Sequence, residues 1–164
     1  MKLPESTEWV LHAVTALAQL VPGEAGQPGQ AVSAGQLAEH YGVPAGYLVK
    51  QLQSLVRAGI LSAATGPHGG FRLARPAGQV TMLEIVEAVD GMSPFYTCNE
   101  IRQRGRGAVP VPPDVCVTTC GIAARMAEAE AAWRQSLSAV TVADIVESLP
   151  PGVPERTRQL LSRA

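Results

Sequence analysis

Apolar residues in the first part of the chain repeat at helical spacing. Val10, Val14, Leu17 and Val21 fall near one face of a helix predicted over residues 5–20, and Glu8 and His12 lie one turn apart on a neighbouring face. Pro22 to Gly29 reads as a turn-rich linker. Ser33-Ala-Gly-Gln36 then has the form of a capping box opening a short helix through Leu37 to His40, which stops at Gly42. A third helix is predicted from Pro44, whose missing N–H suits a first helical turn. Leu48, Leu52 and Leu55 form its buried stripe and leave Tyr47, Lys50, Gln51 and Ser54 facing outward.

Two short strands, Ile60 to Ala64 and Phe71 to Ala74, follow. They are joined by a glycine-bearing tip from Thr65 to Gly70, so a β-hairpin is expected. A second capping box, Thr81-Met-Leu-Glu84, opens a helix carrying Leu83, Val86 and Val89 and ending at Asp90-Gly91. Residues 92–114 lose periodicity and read as a long exposed loop, a length usually associated with function or disorder. A long helix is predicted from about Thr118 to Leu137. Its Ile122, Met126, Ala129, Trp133 and Leu137 repeat at fours and threes, the narrow stripe of a helix-pairing seam. A short helix from Thr141 to Leu149 precedes a proline-containing tail expected to be mobile.

Composition narrows the class. With 164 residues, 46% of them hydrophobic and 16% charged, the chain suits one folded domain with an appended helical element. The net charge of −1 means that nucleic-acid binding has to come from a local patch. The amino-terminal segment carries Glu5, Glu8 and His12 where a signal peptide would be apolar, and no stretch approaches a membrane span, so a cytoplasmic location is expected. Three cysteines, Cys98, Cys116 and Cys120, crowd one region; in a reducing compartment this favours metal ligation or redox chemistry over structural disulfides.

The order of elements, helix, tight turn, second helix and glycine-tipped hairpin, is that of a winged helix-turn-helix. The fold class is therefore mainly α with a small β-wing, extended by a long dimerisation helix. The second helix of the pair enters the major groove of double-stranded DNA. Tyr47, Lys50 and Gln51 suit that role, since Gln reads adenine edges and Lys holds phosphate or guanine, while Thr65, His68 and Arg72 suit the wing. The competing view takes these as ordinary solvated residues of a protein-binding domain. No HExxH motif or nucleophile elbow occurs, so an enzyme is not expected.

Four runs in fixed order carry a more specific likeness: Leu37-Ala-Glu-His-Tyr-Gly-Val-Pro-Ala-Gly-Tyr-Leu-Val-Lys-Gln-Leu52, Leu55-Val-Arg-Ala-Gly-Ile-Leu61, Gly66-Pro-His-Gly-Gly-Phe-Arg-Leu-Ala-Arg-Pro76 and Thr81-Met-Leu-Glu-Ile-Val-Glu-Ala-Val-Asp-Gly91. Together they resemble the Rrf2 family of bacterial transcription regulators, which includes iron-sulfur-cluster and nitric-oxide-sensing repressors. The resemblance implies a homodimer joined by the long helix, bound to a palindromic operator. It implies a division into a DNA-binding domain over 1–91, a cluster-binding loop over 92–117, dimerisation helices over 118–149 and the tail over 150–164.

Many members of that family hold an iron-sulfur cluster on three cysteines before the dimer helix, which the resemblance maps onto Cys98, Cys116 and Cys120. Cys98 departs from the compact spacing and is the less favoured ligand. A [2Fe–2S] cluster has four ligand positions, and His can replace Cys on one iron. The resemblance places the first helix near the partner's cluster loop, with an acidic ligand near the eighth position. The expected metal ligands are thus Glu8 and His12 from one subunit with Cys116 and Cys120 from the other, as in the redox-responsive branch, with Trp9 passing the signal on. The alternatives are a metal-free thiol switch and a tetrahedral zinc site built from two Cys and His12.

Overall fold

The computed structural model describes residues 3–20, 29–66, 69–101, 104–106, 108 and 120–162. Helix α1 spans Glu5–Ala18 and buries Val10, Ala13, Val14, Ala16 and Leu17, the stripe its spacing requires. Val21 and, apart from Gly29, the Pro22–Gly29 linker lie outside the described residues.

Helix α2, Ala34–Tyr41, starts at a complete capping box: the Gln36 N–H donates to Ser33 Oγ, and the Ser33 N–H donates to Gln36 Oε1 at 2.9 Å. It ends at Gly42, whose φ of 65° is the left-handed cap that glycine tolerates best. Helix α3, Ala45–Arg57, follows directly and buries Leu48, Leu52 and Leu55. Strands β1 (Leu61–Ala64) and β2 (Gly70–Leu73) pair antiparallel, Leu61 opposite Leu73 and Ala64 opposite Gly70. The hairpin is held to the helices by Val32, which exchanges two backbone hydrogen bonds with Phe71 of β2.

Helix α4, Met82–Asp90, has its own capping box on Thr81 and Glu84. Its fully buried positions are Ile85 and Val86, whereas Leu83 and Val89 are only half-buried. Helix α5 spans Gly121–Ser138, α6 Val142–Glu147 and α7 Val153–Leu161. A third capping box on Thr141 and Asp144 opens α6. The Val142 N–H donates to the Val80 carbonyl and the Met82 N–H to the Val140 carbonyl, both at 2.9 Å, which stitches the chain after α5 to the start of α4.

The chain divides into two compact units, residues 92–136 and residues 2–91 with 137–164. The second holds one continuous core, from Val10 and Leu17 through Leu37, Leu52 and Ile60 to Val142 and Leu161. Within the stretch 150–164, read from the sequence as a tail, residues Val153–Leu161 form α7. Leu161 is 2% exposed and Thr157 is buried beside it on the same face of α7, which seats the helix on the core.

In the first unit, α5 has no buried residue. Trp133, expected on the pairing seam, packs edge to face on Phe95, with ring centroids 4.8 Å apart. The Phe95 N–H donates to Glu130 Oε2 at 3.0 Å, and Arg134 pairs with the same carboxylate at 2.9 Å. These contacts fasten the segment after α4 to α5 within the unit.

Candidate nucleic-acid interface and sensor residues

With the leucine stripe of α3 buried, the opposite face is set by the helical period. Tyr47 is 47% exposed and Lys50 is exposed, while Gln51 is half-buried. In the wing, Thr65 is exposed and Arg72 is half-buried, its Nε donating to Ser62 Oγ at 3.3 Å across the hairpin. His68 lies outside the described residues. Arg75, which sequence reasoning passed over, is bound to Glu84 at 2.6 Å and to the Gln79 carbonyl, so it locks the hairpin exit onto α4. Glu84 is partly desolvated, which alone would raise its pKa, but the hydrogen bonds from Thr81 and Arg75 hold it below the usual carboxylate value.

Glu8 and His12 are both exposed on α1, as their spacing requires, and both line a cleft between α1 and the turn joining α2 to α3. A second cleft, reaching Asp90 at the end of α4, is lined by the same two residues. Tyr41 closes the first cleft. Its hydroxyl donates to the His12 carbonyl at 2.9 Å and its ring lies 5.8 Å from the imidazole. Burial pushes the Tyr41 phenol up to about 12. No local pattern marks this residue, because the contact spans the gap from α1 to the end of α2. Trp9, between Glu8 and His12 in sequence, meets Tyr47 of α3 edge to face at 5.6 Å. The helix carrying the candidate ligands therefore touches the helix expected in the major groove.

The sulfur donors belong to the other unit. Cys120 is buried immediately before α5, its carbonyl accepting from the Ala124 N–H at 2.9 Å. Cys98 is half-buried, with its thiol 3.6 Å from Glu100 Oε1. The pKa of the Tyr96 phenol is raised by loss of hydration, and its neighbours Cys98, Cys120 and Glu100 act in the same direction. Cys98 and Cys120 thus share one electrostatic neighbourhood, although spacing had made Cys98 the weaker member. Cys116 lies outside the described residues. Among the described residues, no three His, Cys, Asp or Glu side chains converge as a metal site, and no helix is long and apolar enough to cross a membrane.

A helix-turn-helix followed by a two-stranded wing, all on one core, defines a winged-helix DNA-binding protein. Solved structures share this fold. IscR of T. potens superposes with a TM-score of 0.63 at 18% identity, covering 93% of this chain and 94% of its own. The oxidized form of CymR from Staphylococcus aureus superposes with a TM-score of 0.61 at 23% identity, covering 92% and 99%. Protein aau3 of Rhizobium meliloti is 32% identical over 115 residues, 70% of either chain. The Rrf2 model, described as an iron-dependent transcriptional regulator, matches residues 3–148, and the chain belongs to that family. Its members are transcription regulators rather than enzymes.

Proposed function

We propose that this regulator works as a homodimer whose affinity for a palindromic operator is set by the redox state or occupancy of a [2Fe–2S] cluster. Glu8 and His12 of one subunit and Cys116 and Cys120 of the other are the proposed ligands. One carboxylate, one imidazole and two thiolates supply four donors, two for each iron. Glu8 and His12 share their cleft with Glu5, and among the described residues no three His, Cys, Asp or Glu side chains converge there as a metal site. Sulfur completes the set, and it is assigned to a second copy because the family resemblance sets the first helix beside the partner's cluster loop. The family model's description as iron-dependent supports the choice of metal.

The observation that carries this reading is the Trp9–Tyr47 contact, because it couples the ligand-bearing turn of α1 to the recognition helix. When bound, the cluster supplies a one-electron redox couple. The residues of the chain do the rest. Glu8 and His12 hold their turn of α1 in place, Tyr41 fixes the backbone at His12, and Trp9 carries any shift of that turn to Tyr47. Two half-sites require recognition helices about one DNA turn apart, so a small displacement lowers affinity for the pair. Tyr47, Lys50, Gln51, Thr65, His68 and Arg72 are the proposed DNA contacts.

The test is anaerobic purification of the wild type beside Glu8→Ala, His12→Ala and the three single Cys→Ala variants, with iron, sulfide and visible absorption measured on each. The expected result is stoichiometric iron and sulfide in the wild type, and an altered or absent spectrum in every variant except Cys98→Ala. An unchanged spectrum in both Glu8→Ala and His12→Ala would falsify the mixed ligand set.

A second reading draws on the shared surroundings of Cys98 and Cys120 beside Tyr96. In it the switch is a metal-free thiol couple, and the S. aureus CymR solved in an oxidized form is a fold relative consistent with such chemistry. Colourless, iron-free protein with operator affinity that falls on peroxide treatment and recovers with dithiol would favour this reading.

A further inference from the structure

With a net charge of −1, the chain has to concentrate its attraction for DNA in a few cations. In the unit that holds the winged helix, the described lysines and arginines are Lys50, Arg57, Arg72, Arg75, Arg156 and Arg158. Arg75 is neutralised by Glu84. Lys50, Arg57 and Arg72 belong to the recognition helix and the wing. Arg156 and Arg158 lie on α7, beyond the segment matched by the family model, and neither forms an ion pair among the described residues. Glu155, the acid of the same helix, accepts from Gln159 instead.

The packing of α7 places these two charges. Thr157 and Leu161 are its buried positions, so at 100° per residue Arg156 and Arg158 flank that stripe on either side, and both are exposed. The helix packs against α2, and its last turn is tied to the segment leading into that helix: Gln30 Nε2 donates to the Leu161 carbonyl at 3.4 Å. Two residues further on, Val32 pairs with Phe71 of the wing, and Ser33 then caps α2. The end of α7 is therefore anchored where wing and helix-turn-helix meet. In a docked helix-turn-helix the first helix, here α2, crosses the sugar-phosphate backbone.

We propose that α7 is an accessory DNA clamp, with Arg156 and Arg158 contacting backbone phosphates beside those met by α2 and the wing. The contact reads no bases and adds affinity equally to every sequence. It rests on the DNA-binding reading of the winged helix, and the exposed carboxylate of Glu39 on α2 sets a limit on how close the backbone comes there.

The experiment measures binding of the full-length protein to a mixed-sequence duplex across a salt series. It compares the wild type, the double variant Arg156→Ala/Arg158→Ala and the charge-preserving double variant Arg156→Lys/Arg158→Lys, with thermal unfolding of each. Each phosphate contact adds about 0.9 to the slope of log affinity against log salt. The alanine pair should lower that slope by about 2 with an unchanged unfolding midpoint, and the lysine pair should behave as the wild type. A wild-type slope in the alanine pair overturns the clamp and leaves the winged helix as the DNA contact. Equal losses in the alanine and lysine pairs overturn it too, because the role would then be one of packing. A wild type with no affinity for any duplex removes both this inference and the reading beneath it.

Discussion

The Tyr41 hydroxyl reaches back across the cleft to the His12 carbonyl, so one phenol positions the turn of α1 that carries Glu8 and His12. Its protonated form is the one the fold favours: burial lifts the pKa from 10.0 to about 12. The stability contribution is therefore complete below the ordinary tyrosine value and is lost as pH rises through the folded value. Between about pH 10 and 12 the wild type should lose stability faster than Tyr41→Phe, followed by urea midpoints across that range. At neutral pH the same substitution removes one hydrogen bond, a loss of about 1 kcal/mol. Equal alkaline slopes for the two proteins would place the titrating group elsewhere.

The wing shows how an element depends on a single close approach. A Cβ at Gly70 would meet the Val32 carbonyl carbon and oxygen at 2.4 Å, and backbone cannot yield as a flexible side chain can. Glycine inside a strand often marks such an approach. Gly70→Ala is expected to separate β2 from the Val32 segment, costing about 2 kcal/mol and most of the DNA affinity. Because Gly70 is remote in sequence from the proposed ligands and part of a different element, the visible spectrum of the anaerobic protein should not change. Mobility-shift titration and spectroscopy on one preparation check both halves. Retained affinity would show that the wing does not touch DNA.

For the molecule as a whole, α5 poses the largest open physical problem. It is 18 residues long with none buried, and Ile122 and Met126 are 64% and 39% exposed. A free helix of that length is marginal in water without a partner for its apolar side. The proposed second copy supplies that partner. Ile122→Glu with Met126→Glu puts like charges on the seam, so sedimentation should shift from dimer to monomer. The same variant should lose iron, because under the proposed ligation one chain offers only half of the donors. A double variant that stays dimeric and keeps its iron would move the seam away from these residues.

What the sequence by itself determined is what neighbouring residues decide among themselves. The boxes at Ser33/Gln36 and Thr81/Glu84, the stripe of Leu48, Leu52 and Leu55, and the hairpin around the glycine-rich tip all depend on spacings of a few positions. The exposure of Glu8 and His12 one turn apart followed from the same period. Contacts between distant segments carry no such periodic mark, and these only the tertiary structure decided. Trp133 turned to Phe95, Trp9 to Tyr47 and Tyr41 to His12, Cys98 came into the field that Cys120 also occupies, and α7 seated Leu161 in the core. Each outcome turns on which surfaces meet once the chain has closed on itself, a competition among many apolar and polar faces that no short window of residues contains.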